Sequence, residues 1–410
     1  MPLSDKQQLF LDNCDHRWNV QTGATGSGKS WLDYAVLIPQ RLMALRGEGA
    51  VVILGNTQGT ANRNILEPMR DIWGEKLVGT IGSDNAARLF GRKCYVMGAD
   101  NRKHVARIQG MTIEYAYGDE VTTWAEGVFQ MLKSRLRCEH SHFDGTCNPD
   151  APQHWFKAFL DSDADIYCQA STIFDNPFLP EAFVKNLCKE YEGTVYYNRF
   201  ILGQWVAAEG VIYRQFADNP EKFIVHDLPQ GETIHHVVLG VDFGGGSSAH
   251  AFCAMGFTTR GRLVVLDEYR EKAALDPNRL AADFVDFVRR CQARWIVTDC
   301  WCDSAEQTLI NGLRAAIAAA GIGLNIGNAQ KRAINDRIRA TCILMGAGRF
   351  VVNAECKETI EALRTALWDS KKMTEDVRLD DGTTNIDSLD CLEYAMERDI
   401  PNLIEGWGHI

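Results

Sequence analysis

The sequence contains no apolar run approaching the roughly 20 residues that a membrane span requires, and its start, MPLSDKQQLF, lacks the basic-then-apolar layout of a secretion signal. Both absences predict a chain that works in a cytoplasm without a membrane partner. A disulfide layout is missing as well: 13 cysteines are scattered over 410 residues, which predicts reduced thiols. In CEHSHFDGTC the residues Cys138, His140, His142 and Cys147 crowd together, but C-x-H-x-H spacing fits no common zinc site. On an alternating strand the two histidines would share a face while Cys147 falls beyond a glycine turn, so zinc is not expected. Positive charge is scarce too, with 43 Lys and Arg against 54 Asp and Glu. A net charge of −11 excludes a protein that coats nucleic acid by bulk electrostatics. It leaves room for local basic tracks, at Arg88, Arg92, Lys93, Arg102, Lys103 and Arg107 or at Lys331, Arg332, Arg337 and Arg339, although solvated faces explain such clusters equally well. No internal repeat or low-complexity tract is present.

What is there is a chain long enough for two or three domains, 46% hydrophobic, with apolar runs alternating with helical patterns. RWNV, AVVILGNT (50–57) and TIEYAYGDE (112–120) read as buried strands, with amphipathic helices near 58–73 and 124–137. This predicts an α/β unit with a largely parallel sheet over 1–175. Aromatic, Pro- and Gly-rich texture follows over 176–230 and reads as an α-rich connecting region. A second α/β unit over 231–410 opens with HHVVLGVDFGGG. AHAFCAMGF and RLVVLDEYR come next with no room for a crossover helix, so they should pair antiparallel. A helix near 277–292, the strand RWIVTDC, another helix, GLNIG, a helix near 330–346, RFVV and two closing helices complete it.

Two sets of residues carry chemistry. In QTGATGSGKSW, Gly23, Gly28, Lys29 and Ser30 match G-x-x-x-x-G-K-[ST] in full, between a strand and a helix. Such a loop, here Gly23, Thr25, Gly26, Ser27 and Gly28, wraps phosphates with backbone N–H groups at a helix N-terminus. Lys29 would reach the β and γ oxygens of ATP and Ser30 would take Mg²⁺. Asp119, at the end of its strand, would serve that Mg²⁺, and Glu120 would polarise the attacking water. Thr146 and Asn148, at the polar tip of FDGTCNP, could sense the γ-phosphate; the alternative is a plain Asn-Pro turn.

The second set is acidic. Asp242 ends the strand that opens the second unit, Asp299 and Asp303 stand at a later strand end, and Asp387 and Asp390 share one face at the start of the last helix. Three converging carboxylates suit two Mg²⁺ or Mn²⁺ ions for in-line attack on a phosphodiester. Asp387 as a simple helix N-cap is the competing reading. The order acid, hairpin, helix, acid, then acid on the final helix is the layout of a ribonuclease H-like fold.

Taken together, these motifs resemble the large terminase subunit of tailed bacteriophages, across nearly the whole chain. KQQLF is similar to that family's adenine-contacting segment, which points to Gln7. GATGSGKS and YAYGDE resemble its nucleotide motifs, GTCNP its coupling motif, DNPFL and GQWVAAEGVIY its inter-domain region, and GVDFG, DSAE and DSLDCLEYA its nuclease motifs. The resemblance implies an N-terminal P-loop ATPase domain of the RecA/ASCE type and a C-terminal ribonuclease H-like nuclease domain. It implies ATP with Mg²⁺ in the first, and two Mg²⁺ or Mn²⁺ ions in the second. Its implied partners are double-stranded DNA, the portal protein, the small terminase subunit and further copies in a homo-oligomeric ring on the portal, in the host cytoplasm. Many relatives carry an arginine where Thr25 stands, so a finger from a neighbouring subunit, Arg107 or Arg102, is implied instead. DSAE favours Asp303, while strand geometry also permits Asp299. Some relatives carry His where Asp387 stands, followed by an Asp at Asp390. The competing functions are a helicase, an actin- or hexokinase-like ATPase, and an ATP-gated DNA-binding assembly factor with a vestigial nuclease domain.

Overall fold

Two seven-stranded sheets organise the computed structural model, which describes residues 2–244, 248–272, 276–372, 374–382 and 384–404. The first sheet contains β1 (Trp18–Gly23), β2 (Ala50–Gly55), β3 (Ala86–Leu89), β4 (Arg92–Gly98), β5 (Ile113–Gly118), β6 (His142–Cys147) and β7 (Ile166–Ser171), in the order β3-β4-β2-β5-β6-β1-β7. All neighbours are parallel except the β3–β4 hairpin at one edge. β2 and β5 are the continuous apolar runs, buried almost throughout, as strands covered on both faces must be. β6 intervenes between β1, which enters the glycine loop, and β5, which ends beside Asp119. That order sets the tip of β6 between the loop and the acids.

The covering helices over 29–44 and 58–73 each pass through a π-turn, Asp33–Leu37 and Asn62–Leu66, shortly before a proline, Pro39 and Pro68. Proline gives no N–H to the helical ladder and its ring crowds the preceding turn, so the wider turn absorbs the mismatch. Helix Glu126–Arg135 packs Phe129 against Trp18, Phe143, Phe156 and Phe159, and full burial of each such ring contributes roughly 1.5–3 kcal/mol.

The connecting region is less helical than its composition predicts. It holds helix Glu181–Tyr191, a π-turn Tyr197–Ile201, an extended stretch and the short helix Arg214–Asp218. The segment from the π-turn into the extended stretch is used for docking: the Thr25 N–H donates to the Phe200 carbonyl (3.0 Å), and Gly203 lies so close that a Cβ there would stand 2.5 Å from the Ser171 carbonyl oxygen.

The second sheet contains β8 (Ile224–Val225), β9 (Ile234–Asp242), β10 (Ala249–Thr258), β11 (Leu263–Lys272), β12 (Val297–Cys302), β13 (Asn325–Asn328) and β14 (Phe350–Asn353), in the order β13-β12-β9-β10-β11-β14-β8. β9, β10 and β11 are antiparallel in sequence, as expected, while β12 runs parallel to β9 and β13 to β12. Helices Pro277–Gln292 and Gln307–Ala319 cover one face, and the final long helix Asp387–Met396 lies over β9 and β10 on the other. Gly240 permits that last packing, since a Cβ on it would stand 1.8 Å from the Cys391 carbonyl oxygen. Residues 245–247, which continue the glycine turn after Asp242, lie outside the described residues. No described helix is long and apolar enough to cross a membrane.

Candidate functional site

β1 delivers the chain into the loop at Gly23, and Gly23, Gly26 and Gly28 take φ values of 142°, 72° and 87°, which a residue with a Cβ resists. The folded loop lines a cavity of about 280 Å³ with residues 25–31 and Tyr34, facing Asn64, Asp119, Glu120, Thr146 and Asn148. Lys29 is buried, and its Nζ donates to the carbonyls of Gly23 (3.0 Å) and Ala24 (2.6 Å), to Ser27 Oγ (3.3 Å) and to Asn148 Oδ1 (3.2 Å). Burial pushes its ammonium down to about 8, against the opposing pull of Cys147, Glu120, Asp119 and Asp33. Gln7 sits behind the loop, with its Nε2 donating to the Gly28 carbonyl (3.0 Å).

Thr146 joins the two acids. Its hydroxyl donates to Asp119 Oδ1 (3.2 Å) and accepts from the Glu120 N–H (3.3 Å). Asp119 Oδ2 accepts from Asn64 Nδ2 (3.1 Å), and burial raises its carboxyl. Glu120 takes a left-handed backbone (φ 50°), and burial, then Asp119, push it up to about 7 against Arg339, Lys29 and Arg63. A wall of N–H donors and an ammonium opposite a cation-binding acid and a carboxylate poised near neutrality suits a magnesium-bearing polyphosphate. Asn64, Trp31 and Tyr34 join this cavity without a motif to announce them. Arg107 and Arg102 are exposed and do not line it.

In the second half the structure gathers Asp242, Asp303, Asp387 and Asp390. Burial first, then the charges of Asp390, Asp303 and Asp387, push Asp242 up to about 8. Uncompensated repulsion of that kind is what a divalent cation relieves, and all-oxygen donors fit Mg²⁺ or Mn²⁺. The four acids are not equivalent. Asp303 follows β12 and pairs with Lys331; Asp387 accepts from the Ala249 N–H (3.1 Å) and Arg270 Nη2 (3.2 Å). Asp387 therefore points across to β10 and does not cap its own helix. Asp390 is held by Arg378 (2.6 Å) and Arg337 (3.4 Å), which also clamp buried Glu393. Among the described residues no three His, Cys, Asp or Glu side chains already stand as a metal cage. Asp242, Asp303 and Asp387 are the set that fits one once Lys331 and Arg270 give way; Asp390 is already satisfied.

Asp299 stands apart from this cluster. A register irregularity between Val297 and Asp299 carries β12 on to Cys302, so Asp299 lies inside the strand, accepting from Asn325 Nδ2 (2.7 Å). The expectation that it ends the strand is corrected accordingly. The Cys147 expectation is corrected too: Gly145 is within β6, not in a turn, and His142 and Cys147 occupy the strand's two ends. All 13 cysteines are free thiols. The basic group at 331–339 turns inward, with Arg337 only 8% exposed at its side chain.

Residues 22–218 match the family described as "Terminase large subunit, T4likevirus-type, N-terminal". The chain belongs to the large terminase subunits of tailed phages. In fold, this large terminase is similar to the large terminase from a thermophilic bacteriophage, with a TM-score of 0.82 at 22% identity over 97% of this chain and 99% of that one. Structures of that thermophilic phage's protein in complex with ADP and with ATP-gamma-S match at 0.79 each, with 22% identity over 96% of this chain and 98% of theirs. No curated protein matches the sequence. The N-terminal half of this large terminase is thus the ATPase region of the family, and its C-terminal half has the ribonuclease H-like nuclease fold.

Proposed function

We propose that this large terminase is an ATP-driven motor that translocates double-stranded DNA into a prohead and cuts concatemeric DNA. The observation that carries the reading is the Thr146 hydroxyl, bonded at once to Asp119 and to the Glu120 N–H on the far wall of the glycine-loop cavity. It supports a device in which a change at the phosphates moves β6 and so reaches the rest of the fold. In this reading the ATPase unit is 1–175, the connecting region 176–230 and the nuclease unit 231–410. Gln7 lies on the adenine side, the loop and Lys29 take the phosphates, Ser30 and Asp119 would hold Mg²⁺, and Glu120 accepts the proton of the attacking water. Asn148, bonded to Lys29, reports the departure of the γ-phosphate. Arg107, exposed and away from its own cavity, completes the site of a neighbouring subunit in a ring on the portal protein.

Asp242, Asp303 and Asp387 would hold two Mg²⁺ or Mn²⁺ ions, whose chemistry is to polarise a phosphodiester and sharpen a water nucleophile. Asp390, between two arginines, orients the final helix. DNA contact would be mostly to phosphates, salt-sensitive and weak in sequence preference, which leaves site choice to the small terminase subunit.

A matched set of variants tests both halves. Lys29→Ala and Glu120→Ala are expected to lose ATP hydrolysis while retaining Mn²⁺-dependent plasmid cleavage, and Asp242→Ala to do the reverse. Absence of cleavage by the wild-type chain under any divalent metal would leave a DNA-binding ATPase with a silent second domain. Loss of ATP hydrolysis in Asp242→Ala would move the nucleotide to an actin-like site in the second half.

A further inference from the structure

A second cavity, of about 710 Å³, lies where the two halves meet. Glu120 and Asn148 line both this cavity and the nucleotide cavity, so the Glu120 carboxylate stands at the partition between them. Across the second cavity is Arg339, on helix Ile334–Gly346 of the C-terminal half. Its side chain is 12% exposed, beside Asp336 (3.7 Å), with the guanidinium carbon 5.5 Å from the centre of the Phe200 ring. That ring belongs to the residue whose carbonyl accepts the Thr25 N–H of the glycine loop, so the arginine is seated on a support tied to the loop itself. The neighbouring Arg199 is 4% exposed and pairs with Asp150 (3.0 Å), which follows β6, and with Asp376 of the C-terminal half, locking the same region to both halves. Among the positive charges that act on Glu120, Arg339 comes first, ahead of Lys29 and Arg63.

We propose that Arg339 is a positioning residue for ATP hydrolysis in its own chain: the C-terminal half supplies a guanidinium that orients the Glu120 carboxylate towards the attacking water. The proposal rests on the ATPase reading above. It ties hydrolysis to the docked arrangement of the two halves, because the residue that orients the base arrives from the half that handles DNA. It also gives a chain that carries Thr25 in the glycine loop a cation near the reacting water from within the same molecule.

Steady-state ATP hydrolysis by the full chain tests it. Arg339→Ala should lower kcat by about 10–100-fold, the range of a mispositioned catalytic group, while KM for ATP moves by less than about twofold. Arg339→Lys should recover part of the loss. Phe200→Leu, which keeps the carbonyl bonded to Thr25 and removes the ring, should give an intermediate kcat. In a Glu120→Gln background, Arg339→Ala should add nothing, since the group it orients is gone. An unchanged kcat in Arg339→Ala, a loss in KM alone, or full additivity with Glu120→Gln would each overturn the assignment. Should Arg339→Ala fail to fold, Phe200→Leu and Arg339→Lys decide it alone. Lys29→Ala separates the two levels: if it keeps full ATPase activity, the ATPase reading itself falls; if it loses activity while Arg339→Ala keeps it, only the Arg339 assignment falls.

Discussion

Replacing Gly240 with alanine should silence DNA cleavage without touching ATP hydrolysis. The added Cβ would stand 1.8 Å from the Cys391 carbonyl oxygen, 2.8 Å from the Cys391 carbonyl carbon and 3.0 Å from the Ala395 nitrogen. All three are backbone atoms of helix Asp387–Met396, so no side-chain rotation relieves the clash. To restore ordinary contact the helix must retreat from β9 by about 1.5 Å, and overpacking of this kind costs about 1–3 kcal/mol or more. In a domain of this size that lowers the unfolding midpoint of the C-terminal half by roughly 3–10 °C. The functional effect should be larger. Asp242 rides on β9 and Asp387 on the helix, so the retreat opens the carboxylate cluster by a similar distance, and about 1 Å of misplacement costs on the order of 100-fold in rate. The assay is Mn²⁺-dependent plasmid relaxation and linearisation beside ATP hydrolysis on the same preparation. Cleavage should fall by about 100-fold and ATP hydrolysis stay within about twofold. A folded Gly240→Ala protein that cuts DNA at the wild-type rate would refute the claim that this close approach assembles the site.

Two further outcomes follow from the same structure. Asp242 is pushed up to about 8 in the folded chain, whereas an unfolded carboxyl titrates near 4. The folded state therefore holds its proton longer, so stability from this group is full below about pH 4 and is lost as pH rises through about 8. Asp242→Asn should flatten the decline of the melting temperature between about pH 5 and about pH 8.5, and Mg²⁺ or Mn²⁺ at the upper end should stabilise the wild type more than the variant; parallel pH slopes would contradict this. Glu114, buried in β5, accepts the backbone N–H groups of Arg46 (2.6 Å), Gly47 (3.0 Å), Glu48 (2.8 Å) and Gly49 (3.2 Å), fixing the loop that enters β2. Glu114→Ala strips the acceptor from all four and should cost about 2–4 kcal/mol in chemical denaturation; equal midpoints for variant and wild type would show that water replaces the carboxylate at no loss.

Much of the nucleotide cavity was readable in advance because its parts sit at the C-terminal ends of parallel strands, where an apolar run gives way abruptly to polar residues. Gly23 to Ser30, Asp119, Glu120, Thr146 and Asn148 all sit at such ends, and the structure collects them around one space. The β3–β4 hairpin was not legible. It turns through Phe90 and Gly91, both at positive φ (47° and 82°), and phenylalanine is an uncommon residue there, so the usual Asn-Gly or Asp-Gly signal is absent. Asp299 was misplaced for a different reason: an irregularity in strand pairing shifts the end of β12, and no local pattern records it. The partners of Asp390 come from positions 337 and 378, too distant in sequence for periodicity to connect them. Burial and charge pairing across such separations decide which acids remain available, and composition alone carries no trace of that.

The hydrogen bond from Thr25 to Phe200 and the tight seat of Gly203 also bear on how the chain can be divided. The change in composition near residue 175 marks a border between textures, not between mechanical parts. A fragment ending there would lose the acceptor for the Thr25 N–H and the chain that packs over Ser171 and Gly23. The smallest piece that keeps the glycine loop in its folded shape therefore runs past Gly203, and any swap of the nuclease half between relatives must carry residues 197–203 with the ATPase half.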